Sequence, residues 1–169
     1  MKSILFISIM VCIFFPCASQ NFISISKQVE KKCIGKSNWK GQSFHDLRTR
    51  LYNEGRLGFV SSDFDTLYIL ESYEIESGSY TGKIWNRKGD LNYIYNKNSF
   101  QFDQQKLFTD YTIQLIQRWD TATVRTEESL NTKSISEKYI TGIKVIMENQ
   151  KIRIDCIKFK EFFNLERDR

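Results

Sequence analysis

One proline, Pro16, and one histidine, His45, occur in 169 residues. With a single histidine, every site that needs two, such as HExxH or a three-histidine zinc centre, is excluded. No GxSxG, GxGxxG or GxxxxGK[ST] is present, so a nucleophile elbow, a dinucleotide site and a P-loop lack support. Absence of CxxC removes the thiol-oxidoreductase motif. A Cys–His nucleophile would have to join His45 to Cys33 or Cys156, and nothing in the spacing brings them within hydrogen-bond reach. His45, next to Asp46 in a helical first turn, reads as a solvent-facing residue. No metal site and no cofactor is expected.

Proline is absent after position 16, and no Gly/Ser-rich linker, low-complexity stretch or fixed-period repeat interrupts the chain. One domain follows from this uniformity. The formal net charge is +5, with basic and acidic residues interleaved as in "ISEKYITGIKVIMENQKIRID". No block of Lys or Arg stands out, so no nucleic-acid partner is expected.

What is present begins with the amino terminus. Met1 and Lys2 precede Ile4–Phe15, a run almost without polar atoms that stops at Pro16. A basic start, an apolar core and a small-residue exit are the layout of a secretory signal peptide. About 20 apolar residues are needed to cross a bilayer core, and this run is shorter. A cut after Ser19 puts Cys17 and Ser19 at the minus-three and minus-one positions and leaves Gln20 as the new terminus. The rival cut, before Cys17, would create a lipid-anchored form. Pro16 disfavours it, because proline fixes its own φ and removes a donor from a peptide that must bind extended. Residues 1–19 are therefore assigned as signal peptide and 20–169 as the domain, with a periplasmic or secreted destination.

Export leaves Cys33 and Cys156, separated by 123 positions. An even pair in an oxidising compartment invites a disulfide, and buried free thiols are the alternative.

Periodicity suggests an α+β domain. "FISIS" alternates as a strand does. Phe44, Leu47 and Leu51 make one helical stripe, with Ser43 as cap, Asp46 three positions on in a capping box, and Gly55 as stop. "TLYILESYEIES", "SYTGKIWNRKG" and "DLNYIYNKNSF" read as a three-stranded meander. Leu107, Phe108, Tyr111, Leu115, Trp119 and Ala122 define a long helix over 103–130. "YITGIKVIMENQKIRIDCIKFK" closes the sheet as two strands about Asn149-Gln150. The expected fold is a single antiparallel sheet of about five strands, in the order α-βββ-α-ββ, packed against one long helix. Phe159, Phe162 and Phe163 should dock a final helical turn.

Two kinds of residue could carry chemistry. Carboxylates at Asp63, Asp65, Glu71, Glu74 and Glu76 could run a histidine-free hydrolysis, since one acid and one base suffice. Aromatic rings at Tyr80, Trp85, Tyr93 and Tyr95 could form an exposed binding face, Trp85 with Lys83, Arg87 and Lys88 being the clearest exposed candidate. The leading expectation is an exported envelope or secreted binding module without evident catalytic machinery, whose partner is a protein or glycan of the cell envelope. The alternatives are a carboxylate-dependent hydrolase acting on a cell-surface polymer, and a structural or inhibitor-like domain.

Overall fold

A computed structural model of the chain describes residues 18–34, 43–60, 64–74, 77–102, 107–118, 138–148 and 151–161. The fold is α+β. Helix α1 (Ala18–Val29) runs into a π-helical turn, Glu30–Ile34, and is followed by α2 (Phe44–Asn53). Four strands come next: β1 (Thr66–Glu74), β2 (Ser79–Asn86), β3 (Gly89–Asn96) and β4 (Ser99–Phe102). Helix α3 (Asp110–Arg118) then leads to β5 (Lys138–Glu148) and β6 (Lys151–Glu161). All six strands form one antiparallel sheet in the order β4-β3-β2-β1-β5-β6.

Several expectations are corrected. "FISIS" is helical, because Phe22, Ile25, Ser26, Val29 and Cys33 recur at helical spacing and all are buried. The sheet has six strands, since the third expected strand folds back on itself. Lys97 and Asn98 take φ of 47° and 67° and make a two-residue turn, which splits β4 from β3. Positive φ at both central residues is the primed hairpin geometry that matches strand twist. The helix expected from 103 starts at Asp110, where the Thr109 hydroxyl accepts the Thr112 N–H at 3.2 Å and caps the first turn. Residues 119–130, assigned to the same helix, lie outside the described residues. Phe159 stands on β6 opposite Ile140 and not on a helical turn, while Phe162 and Phe163 lie outside the described residues.

Helix α2 follows its local signals. Ser43 and Asp46 form the capping box, and Gly55 takes φ of +71° just beyond the helix.

Both faces of the sheet are covered. On one, α1, the π turn and α2 lie over Leu67, Ile69, Ile84, Tyr93, Ile143, Val145 and Ile154. On the other, Phe108 and Ile116 pack with Leu70, Trp85, Ile140 and Ile157. Gly142 seats α3: an added Cβ would collide with the end of Ile116. Cys33 and Cys156 are joined by a disulfide with Cα atoms 5.5 Å apart, tying the π turn to the last strand. Closing a loop of this length restricts the unfolded chain by about 4–5 kcal/mol in the entropic account.

Candidate functional site

The densest polar arrangement lies inside the molecule, between the helices and the sheet. Arg48 is at its centre, fully buried on α2. It occupies the apolar stripe of that helix, between Phe44 and Leu51, and so is driven inward with them. Glu71 meets it from β1, on the same strand face as Leu67 and Ile69.

Every arm of the guanidinium is used. Nη1 donates to both carboxylate oxygens of Glu71 at 2.6 Å. Nε donates to Ser26 Oγ at 2.8 Å, and Nη2 to the Ser26 carbonyl at 3.2 Å and Glu30 Oε2 at 3.1 Å. Ser26 and Glu30 are i and i+4 neighbours at the join of α1 and the π turn, which places both over Arg48. From the other side, Tyr93 Oη donates to Glu71 Oε1 at 3.4 Å.

Tyr93 reaches Glu71 because of a glycine. In the strand register Glu71 is opposite Gly82, and Gly82 is opposite Tyr93. The Tyr93 ring therefore lies across β2 over Gly82, in space that any Cβ there would occupy.

Burial raises the Glu71 carboxyl, and Arg48 and the Tyr93 hydroxyl counter it by holding the charged form. Burial also raises the Tyr93 phenol well above its ordinary value, with the neighbouring Glu71 charge adding to it. For Arg48, burial works against its charge, but Glu71, with Tyr93 and Glu30, together outweigh it and raise its pKa.

Ser26 Oγ also sits 3.0 Å from His45 Nδ1. His45 is half-buried, not solvent-facing as expected. The distance suits a nucleophile and its base, but the surroundings do not. Ser26 is 1% exposed, and its oxygen accepts from Arg48, which draws electron density away from the hydroxyl. The pair orders the cluster.

The expected aromatic face is corrected by burial. Tyr80, Trp85, Tyr93 and Tyr95 are 4%, 6%, 0% and 5% exposed. Tyr80 packs edge-on against Phe44, centroids 5.1 Å apart, and Trp85 stacks on Tyr68 at 5.2 Å. Tyr95 Oη accepts from Arg50 at 3.0 Å. Tyr80 and Trp85 lie on opposite faces of the sheet, Tyr80 clustered with Phe44 and Leu47 of α2 and Trp85 with Phe108 and Ile116.

Among the described residues, the expected carboxylates Asp65, Glu71 and Glu74 do not converge. Asp65 is exposed and pairs with Arg87 at 2.8 Å. Glu74 is exposed and accepts from Ser77 and Ser79. Glu71 alone is buried, and Asp63 and Glu76 lie outside the described residues. Among the described residues, no group of three His, Cys, Asp or Glu is placed to hold a metal ion. No described helix is long and apolar enough to cross a membrane. Ser19 and Gln20, the expected cleavage pair, stand in the first turn of α1, and Cys17 lies outside the described residues. Comparison with protein-family models, curated proteins and solved structures gives no match.

Proposed function

We propose that the protein is an exported, disulfide-stapled interaction module that acts by binding a protein or glycan of the cell envelope. The observation that carries this reading is the closed state of its most reactive-looking groups. Arg48, Glu71 and Ser26 use their polar atoms on one another, and all are buried. Catalytic groups need access to substrate and an unspent proton or lone pair. A fully used buried network instead holds a scaffold in one arrangement.

The bond between Cys33 and Cys156 supports an oxidising destination, where such bridges persist. A cut between Ser19 and Gln20 would keep the buried α1 residues Phe22, Ile25, Ser26 and Val29 in the mature chain. Under this reading the soluble form is favoured over a lipid anchor at Cys17.

Site-directed photocrosslinking in the native cell tests the proposal, with the probe placed in turn at exposed positions on each face. Capture of one envelope component from a contiguous patch is the expected result. Hydrolysis of an envelope polymer by the purified domain, lost in Glu71→Gln, would overturn it. Intact mass of the native protein, reduced and non-reduced, checks the cut and the bridge together; a diacylated Cys17 would overturn the soluble form.

A further inference from the structure

We infer that the outer edge of β4, with which no described residue pairs, is a docking site for an extended acidic peptide segment, which becomes an added strand of the sheet. The inference rests on the interaction-module reading and names a surface and a partner chemistry for it.

The two edges of the sheet are treated differently. On β6, the outward-facing carbonyl of Ile154 accepts a hydrogen bond from Lys32, and the disulfide holds the π turn against the same strand. That edge is blunted, as edges of stable sheets usually are. No described residue pairs with the outer side of β4.

The turn at Lys97-Asn98 sets which groups β4 presents. In a two-residue hairpin the flanking pair, Asn96 and Ser99, bonds inward, and inward and outward positions then alternate. Phe100 and Phe102 therefore carry their N–H and C=O groups away from β3. An added strand would pair with these groups about 4.8 Å away.

The side chains beside this edge give the partner's chemistry. Phe102 is 39% exposed, and Arg56 lies over its ring at 4.5 Å. Phe102 stacks on Phe100 at 5.9 Å, and Arg50 sits 5.2 Å from the Phe100 and Tyr95 centroids. Lys97 is exposed in the adjoining turn. Between Arg50 and Arg56 the one acid is Glu54. Arg50 already spends one N–H on the Tyr95 hydroxyl, and the remaining N–H groups of Arg50 and those of Arg56 are the donors a carboxylate would meet. Alternate residues of an added strand lie about 6.7 Å apart on one side. Those opposite Phe100 and Phe102 would place carboxylates at Arg50 and Arg56. The expected ligand is thus an extended segment with acids at alternate positions.

Fluorescence anisotropy with a labelled peptide alternating Glu and Thr tests this directly. A Lys/Thr counterpart should bind about tenfold or more weakly. N-methylation of the peptide residues that face β4 should abolish binding, while N-methylation of the intervening residues should not. Arg56→Ala, an exposed change that should leave the far-UV spectrum and melting temperature unaltered, should weaken binding about fivefold. Equal binding of acidic and basic peptides, or indifference to which residues are methylated, would overturn the inference. So would the absence of saturable binding, or a dimer of the protein that excludes the peptide. If photocrosslinking meanwhile captures an envelope component at a patch away from 99–102, the module reading stands and only the β4 site falls.

Discussion

Gly82→Ala is the sharpest test of how the interior is organised. An alanine Cβ at this position would lie well inside the 3.0 Å that Cβ atoms keep from other heavy atoms, against the Tyr93 ring and hydroxyl. The ring is fully buried and cannot swing into solvent. It must be displaced within a packed core, which costs about 1–3 kcal/mol. Displacement also breaks the Tyr93–Glu71 hydrogen bond, worth about 0.5–1.5 kcal/mol. The better strand propensity of alanine offsets about 0.5–1 kcal/mol. The net expectation is a loss of about 1–3 kcal/mol, or roughly 2–4 °C in Tm for each kcal/mol in a chain of this length. Urea unfolding followed by tryptophan fluorescence measures it. The decisive comparison is Gly82→Ala in a Tyr93→Leu background, where the collision is gone and alanine should be neutral or stabilising. A coupling energy of about 1–3 kcal/mol between the two sites is expected. Additivity within about 0.5 kcal/mol would refute the account, because it would mean that Tyr93 does not lie over Gly82.

Three further outcomes follow from the same structure. Cys33→Ser should cost about 4–5 kcal/mol if the bridge acts on the unfolded chain, and dithiothreitol should lower the urea midpoint of the native protein to match. Glu71→Ala strands the buried Arg48 and should cost about 3–5 kcal/mol, whereas Arg48→Met with Glu71→Leu should lose far less or gain, as urea midpoints will show. Alkaline stability should depend on Tyr93, whose folded pKa is raised well above tyrosine's ordinary 10.0. A raised folded value means that the native state keeps a proton the unfolded state gives up, so this stability is complete below pH 10 and is lost above it. The slope is about 1.4 kcal/mol per pH unit for one such group, and Tyr93→Phe should reduce the loss measured from pH 9 to pH 11.

Features set by neighbours in sequence were legible. The α2 stripe at Phe44, Leu47 and Leu51 and its capping box depend on residues three and four apart, and both form. "FISIS" was ambiguous because five residues satisfy an alternating pattern, while the helical set Phe22, Ile25, Ser26, Val29 and Cys33 appears only over a longer window. The β3–β4 turn was hidden because Lys-Asn lacks the glycine that usually marks positive φ at both positions. The four aromatic residues expected on an exposed face are buried. Parity assigns a side chain to a face; whether that face meets water depends on what covers it. A sheet packed on one helix leaves a side open, whereas α1, α2 and α3 here cover both.

The polar cluster had a signal of a different kind: a charge where the pattern calls for an apolar residue. Arg48 interrupts the helical stripe, and Glu71 interrupts the inward face of β1 between Ile69 and Tyr73. Burying either alone would be prohibitive, so two opposite misfits in one small domain imply that they meet. Their third partner could not be found this way, because nothing local links Tyr93 to Glu71. The link is the row Tyr93, Gly82, Glu71 across three strands, and it exists only in one register. Slipping β2 by one residue would put a side chain under the Tyr93 ring and turn the inward set of that strand outward. Apolar residues at 48 and 71 would tolerate such a slip better, since they require burial but no particular partner. The ion pair, the tyrosine and the glycine together therefore act as a registration device for the central strands.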